Sequence, residues 1–127
     1  MKMKAIKITT GKEISIIDVP QKGRALLDAL QTEVGGWIEL VHPKTFNNNE
    51  FLQGKVMVVD EEGICKIKKP NHIGTDLYGN YHTIVGDVLI LKYINTEEGM
   101  DIGGLTNGEA NQLFAYLTFK YKNFMEV

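Results

Sequence analysis

The chain has 127 residues, a formal net charge of −2 and a hydrophobic content of 43%, which is typical of one globular domain. This mild acidity argues against direct nucleic-acid binding, because a non-specific binder needs a basic surface to displace counterions. The single cysteine, Cys65, excludes an internal disulfide and any zinc site built from several cysteines. We therefore expect residues 1–127 to form a single domain.

The sequence also predicts a cytoplasmic protein that does not act at a membrane. No stretch is apolar over the roughly 20 residues that a transmembrane helix needs. The lysine-containing N-terminus lacks the apolar core of a signal peptide. A lone cysteine fits a reducing compartment.

The first quarter of the chain has the pattern of a hairpin and a helix. Residues 3–9 and 13–19 alternate apolar and polar side chains, which predicts two paired strands that Pro20 ends. In residues 23–34 the apolar side chains recur at helical spacing. Gly35 stands where a left-handed residue commonly ends a helix.

A third strand is predicted over residues 37–42. Alternation along this strand places Trp37, Glu39 and Val41 on one face. Residues 43–53, which include three consecutive asparagines, are expected to form a polar loop.

The middle of the chain predicts three more strands. Residues 54–60 and 64–68 are expected to pair as a hairpin, with Cys65 as a buried and unreactive thiol. Residues 70–80 are expected to be irregular, with at most one short helical turn. The strongly apolar residues 84–94 predict a central strand, in which Gly86 marks a bulge or a close backbone approach.

A helix is predicted at the C-terminus after a glycine-rich loop over residues 95–105. Thr106 and Glu109 have the spacing of a capping box, which indicates a helix over residues 107–121. The chain is therefore expected to be α+β, with a mixed, mainly antiparallel sheet, one helix in the N-terminal half and one C-terminal helix. The strand–strand–helix–strand order at the start is that of a β-grasp unit.

The catalytic and metal-binding patterns are incomplete. His42, His72, His82 and Asp87 include the ligand types of a metal site, but their spacing does not preform one. Ser15, the only serine, lies within a predicted strand and not at a nucleophile turn. We therefore expect neither a metal nor a cofactor, and non-enzymatic function is favoured.

The stretch that begins at Gly35 is the first candidate for a ligand site. An indole at Trp37 beside the bare backbone of Gly35 and Gly36 could stack on a flat ring, while the glycine N–H groups meet phosphate oxygens. Glu39 could accept hydrogen bonds from a base or ribose, and Arg24 is a natural phosphate partner. The competing interpretation is a core tryptophan with a solvated Arg24.

The second candidate is the polar and aromatic segment of residues 70–87. Asn71, Tyr78 and His82 lie in this segment, between two predicted strands. It could be an ordinary loop whose polar side chains bond their own backbone. We favour a binding loop held by a rigid sheet.

Four motifs resemble those of a known domain family. They are VGGWIELV at 34–41, VVDEEG at 58–63, PN at 70–71 and TIVGDVLIL at 83–91. The chain resembles, from residue 6 to residue 91, an uncharacterised family that occurs in bacteriophages, plasmids and conjugative elements. The resemblance implies a small accessory protein in a bacterial cell, and it implies no activity.

Three hypotheses follow. The leading one is a protein, which could be a homo-oligomer, that sequesters a small nucleotide-like ligand, such as a bacterial immune signalling nucleotide, and thereby counters host defence. The first alternative is an interaction module that inhibits a host defence protein. The second alternative is a nucleotide or phosphodiester hydrolase that uses His42, His72, His82 and Asp87.

Overall fold

In the computed structural model, which describes residues 2–125, a six-stranded sheet is covered by helices on both faces. In chain order the elements are β1 (Lys2–Ile8), β2 (Ile14–Pro20), α1 (Gly23–Val34), β3 (Ile38–Val41), a 3₁₀-helix (Lys44–Asn48), β4 (Lys55–Asp60), α2 (His72–Tyr78), β5 (Val88–Thr96), β6 (Gly99–Gly103), α3 (Asn107–Lys120) and α4 (Lys122–Met125).

The strands follow the order β2-β1-β5-β4-β3, and β6 pairs with the C-terminal part of β5. Each ladder between these strands is antiparallel. The predicted α+β class, the mainly antiparallel sheet and the C-terminal helix are confirmed. The first four elements do run strand, strand, helix, strand, but β3 lies at the edge of the sheet opposite β2.

The central position of β5 explains its apolar sequence. Val88 and Ile90 belong to the core on one face of the sheet, whereas Leu89 and Leu91 belong to the core on the other. A strand that is buried on both faces needs apolar residues at consecutive positions instead of alternate ones.

Two hydrophobic cores flank the sheet. On one face, α1 buries Leu26, Leu30 and Val34 against β4 and β5. On the opposite face, α2, α3 and the 3₁₀-helix contribute to a larger core, in which α3 packs over β1 and β2. Phe46, in the segment predicted to be a polar loop, is fully buried in this second core.

Helix α3 begins as the sequence predicts. The hydroxyl of Thr106 accepts from the backbone N–H of Glu109, and the Glu109 carboxylate accepts from that of Thr106. Just beyond the helix, buried Tyr121 donates to the Asp76 carboxylate over 2.6 Å and so connects α3 to α2. Burial and the adjacent Asp76 raise the pKa of the Tyr121 hydroxyl.

The prediction of a hairpin strand over residues 64–68 is wrong. These residues form a helical turn in which Lys68 N–H donates to the Gly63 carbonyl and Ile67 N–H to the Ile64 carbonyl. This pair of bonds is a Schellman motif, and it places Ile67 in the left-handed region at φ 56°. Cys65 is exposed in this turn, so the expectation of a buried thiol is also wrong.

Two other segments hold more structure than predicted. Residues 95–105 include β6, which pairs with β5 from Lys92 to Thr96. The segment after Pro70 contains a seven-residue helix, α2. The strand predicted over residues 84–94 begins at Val88, so Gly86 lies before β5 and not within it. Its φ is 78°, and a Cβ there would meet the Lys68 side chain at 2.9 Å.

Candidate ligand-binding site

The two glycines at the end of α1 have structural roles. Gly35 adopts the predicted left-handed conformation at φ 83°. Its N–H donates to the Gln31 carbonyl at 2.9 Å, and the Gly36 N–H donates to the same oxygen at 3.1 Å. Because both N–H groups are already bonded, they do not form the phosphate cradle that the sequence suggested.

Asp60, at the end of β4, forms an ionic cluster beside these glycines. Its side chain is only 1% exposed, and its carboxylate oxygen Oδ2 lies 2.6 Å from Lys68 Nζ and 3.0 Å from Lys66 Nζ. The two ammonium groups also donate to the last carbonyls of the helix region, Lys68 to Val34 and Lys66 to Gly35. The cluster therefore joins α1, β4 and the turn that follows β4.

Electrostatics in this cluster favour the charged carboxylate. Burial raises the pKa of Asp60, but hydrogen bonds from Lys68, the Glu62 N–H and Lys66 outweigh burial and lower it to about 2. A Cβ on Gly36 would lie 2.4 Å from Lys66 Nζ and 3.0 Å from Asp60 Oδ1. The cluster thus occupies the space that a side chain at position 36 would need.

Trp37 and Arg24 lie on the surface. Trp37 is 65% exposed, so the interpretation as a core tryptophan is wrong. Its carbonyl accepts from the Glu61 N–H at 2.8 Å, which holds the turn after β4 against the start of β3. Arg24 is exposed in the first turn of α1 and bonds Asp28 over 3.1 Å.

Asn71 is fully buried at the N-terminus of α2. Its Nδ2 donates to the carbonyls of Ile8 and Gly86, both over 3.0 Å, and its Oδ1 accepts from the Gly74 N–H over 2.8 Å. These bonds join α2 to β1 and to the segment before β5. They also occupy both polar atoms of the amide, so Asn71 is a structural residue and not a ligand contact.

The structure brings Glu39, Tyr78 and His82 together around one cavity of about 280 Å³. The cavity lies between β3, the turn after β4, and the segment that follows α2. Its lining comprises Glu39, Val41, Val59, Asp60, Glu61, Gly63, Ile64, Tyr78, His82, Thr83, Ile84 and Val85. Its volume is close to the lower end of the range for small-molecule sites, roughly 300–1,000 Å³.

Aromatic rings form one side of this cavity. The rings of Tyr78 and His82 are stacked, with centroids 5.6 Å apart and planes 25° apart. Tyr81 meets Tyr78 edge-on at 6.4 Å. Because His82 is exposed, the face of its ring away from Tyr78 can receive a third flat ring.

The charged groups at the cavity are carboxylates. Glu39 and Glu61 have no side-chain hydrogen bond or ion pair among residues 2–125, whereas Asp60 is engaged by two lysines. No lysine or arginine of the described residues lines the cavity. The cavity therefore favours a neutral or cationic group that donates hydrogen bonds, and it disfavours phosphate.

A larger groove of about 650 Å³ lies along the β5–β6 hairpin. Its described lining has no aromatic side chain and combines Lys22 and Lys92 with Glu97, Glu98 and Asp101. Because this groove offers no ring for stacking, the smaller cavity is the better candidate for a flat ligand despite its size.

The residues of the predicted hydrolase alternative are dispersed. His42 bonds Asn47 over 2.9 Å, whereas Asp87 accepts from the Thr10 N–H over 3.1 Å. Within residues 2–125, no group of three or more His, Cys, Asp or Glu side chains is placed to hold a metal ion. None of the helices in this range is both long and apolar enough to cross a membrane.

Sequence reasoning missed the contribution of the turn after β4. Glu61 and Ile64 line the cavity, and Lys66 and Lys68 fix the turn to α1 through Asp60. Residues 64–68 alternate apolar and polar side chains as a strand does, so the local sequence gave no sign that they form a turn.

Comparisons with known proteins describe the fold and the family. No curated protein matches the chain. A solved structure, the crystal structure of small RNA methyltransferase HEN1, is similar with a TM-score of 0.58 and 12% identity. The similarity covers 89% of this chain but 16% of that one, so it concerns the fold alone.

A family model described as a domain of unknown function, DUF3846, matches residues 3–118, which extends beyond residue 91 into α3. The chain therefore belongs to the DUF3846 family.

Proposed function

We propose that this protein binds a small nucleotide-like ligand by its base, without cleaving it, in the cavity formed by Glu39, Tyr78 and His82. The observation that carries the proposal is the stacked Tyr78–His82 pair beside a carboxylate that has no partner among the described residues. A ring provides a surface for stacking, and a carboxylate at its side accepts hydrogen bonds from the edge of a base.

The charge of the cavity determines how the ligand lies. The carboxylates of Glu39 and Glu61 repel phosphate, so the base enters the cavity and the phosphates remain at the mouth, in solvent. Trp37 precedes β3, and its carbonyl accepts from the N–H of Glu61, which lines the cavity. Its exposed indole is a second surface against which the outer part of the ligand can pack.

The biological role that we propose is sequestration of a signalling nucleotide. In a bacteriophage, plasmid or conjugative element, capture of a bacterial immune signal would counter host defence. Holding the ligand requires no catalytic group, which agrees with the dispersed positions of His42 and Asp87.

A thermal-shift screen against cyclic dinucleotides, ADP-ribose derivatives and ordinary nucleotides tests this proposal. Ligand at about a hundred times its dissociation constant adds roughly 2.7 kcal/mol to the free energy of unfolding, which corresponds to a shift of several degrees. We expect His82→Ala to abolish the shift and Arg24→Ala, on the exposed surface of α1, to preserve it. No shift with any nucleotide would refute the proposal, and recovery of a cleaved ligand would replace binding with hydrolysis.

A second candidate function is the docking of a host protein on β3. This strand is an edge of the sheet, and two large apolar residues there are exposed: Trp37 and, at 45%, Leu40. Exposed edges bind extended segments of partners by adding a strand. We expect Leu40→Lys to abolish capture of such a partner and to leave any nucleotide-induced shift unchanged; capture that survives this change would refute the edge-docking model.

A further inference from the structure

We infer that the base held in this cavity is guanine; this inference rests on the proposed function and specifies its ligand. It follows from the kind of hydrogen-bonding group that the cavity offers. Glu39 and Glu61 are the charged lining residues that the protein leaves without partners in the described range. An ionised carboxylate only accepts hydrogen bonds, so a ligand that bonds these groups must present donors to them.

The bases differ in the donors that they present side by side. Guanine carries a ring N–H and an amino group on adjacent atoms of its Watson–Crick edge, and both can donate to the two oxygens of one carboxylate. Adenine and cytosine present one amino group next to a ring nitrogen that accepts, and this acceptor would face a carboxylate oxygen. Uracil presents one N–H between two carbonyls. Guanine alone among these four matches a carboxylate with two parallel hydrogen bonds.

The arrangement of elements allows stacking and edge recognition together. Glu39 extends from β3, whereas the Tyr78 and His82 rings come from the end of α2 and the segment after it. The carboxylate and the rings thus reach the same cavity from different elements of the fold. A base that stacks on the exposed face of His82 can direct its edge toward β3 and Glu39.

Asp60 cannot take this role although it also lines the cavity. Its side chain is bonded by Lys66, by Lys68 and by the Glu62 N–H. Glu39 has no comparable partner in residues 2–125 and lies on an edge strand, where its side chain is exposed. Of these two carboxylates, Glu39 is therefore the one whose oxygens are available to a ligand.

The test compares four nucleosides by NMR titration of the full chain: guanosine, inosine, adenosine and cytidine. Inosine is the informative analogue because it lacks only the amino group of guanosine. Loss of a hydrogen bond to a charged group costs at least about a factor of ten in affinity. We expect guanosine to bind at least tenfold more tightly than the other three, with shifts at His82 and Tyr78.

Variants separate this inference from the proposed function. Glu39→Gln is expected to remove the preference for guanosine over inosine. Glu13→Gln, an exposed residue just before β2 at the opposite edge of the sheet, is the matched control and should retain it. Equal binding of guanosine and adenosine would overturn the guanine inference but leave base binding intact. A preference for guanosine that survives Glu39→Gln would overturn the role of Glu39 in recognising the base. Absence of binding by all four nucleosides would overturn the proposed function as well.

Discussion

The buried carboxylate of Asp60 provides the most quantitative test of the structure. Asp60→Asn preserves the size of the side chain and removes its charge. The pKa of Asp60 falls from 3.8 to about 2, and this difference corresponds to roughly 2 kcal/mol of folding free energy at neutral pH. Because the pKa is lower in the folded chain than in the unfolded one, this contribution is complete above the unfolded pKa and disappears as pH falls through about 2.

Urea denaturation at a series of pH values between 7 and 2 measures this effect. We expect Asp60→Asn to reduce the free energy of unfolding by roughly 2 kcal/mol at pH 7. The difference from the wild-type chain should shrink below pH 4 and approach zero near pH 2. Asp28→Asn, which disrupts an exposed pair with Arg24, should cost less than about 1 kcal/mol. Equal stability of wild type and Asp60→Asn at pH 7, or a difference that stays constant down to pH 2, would refute the reasoning.

Three further substitutions test the surrounding packing by the same denaturation measurement. Asn71→Ala removes both polar atoms of a buried amide and so breaks three hydrogen bonds to backbone groups. A loss of more than about 2 kcal/mol is therefore expected; an unchanged midpoint would contradict this role. Ile67→Gly relieves a β-branched residue at φ 56° and 90% exposure, so a gain of up to about 1 kcal/mol is expected, and a loss would show that the side chain stabilises the turn. Gly36→Ala should cost about 1 kcal/mol because its methyl group meets the buried Asp60 carboxylate as well as the end of Lys66; unchanged stability would show that the cluster can rearrange.

Local patterns predicted the regular elements of the fold. The helix over Gly23–Val34 has the predicted bounds, because its apolar spacing and its terminal glycine are both local signals. The prediction for residues 64–68 was wrong because distant contacts, and not local signals, determine their structure. Their alternation resembles a strand, but Lys66 and Lys68 are directed by distant partners, namely Asp60 and the carbonyls at the end of α1.

The site was predictable only in part. Glu39 and Val41 line the cavity on the strand face that alternation assigned to them, and the polar segment after Pro70 supplied Tyr78 and His82. The roles of Asn71 and Gly36 could not be predicted from the sequence. Each is set by hydrogen bonds or steric contacts that depend on how α1, α2 and the turn after β4 pack together.

The position of β5 has a consequence for synthesis of the chain on the ribosome. Among the described strands, the β1–β2 hairpin and the β3–β4 pair are connected only through ladders with β5, which begins at Val88. Until β5 has emerged, the inner edges of β1 and β4 stay open, and strand edges that are both apolar and open promote aggregation. A nascent or truncated chain that stops before residue 88 therefore has two strand pairs without the strand that joins them in the sheet. The sheet is complete only when β6 ends at Gly103, about four-fifths of the way along the sequence.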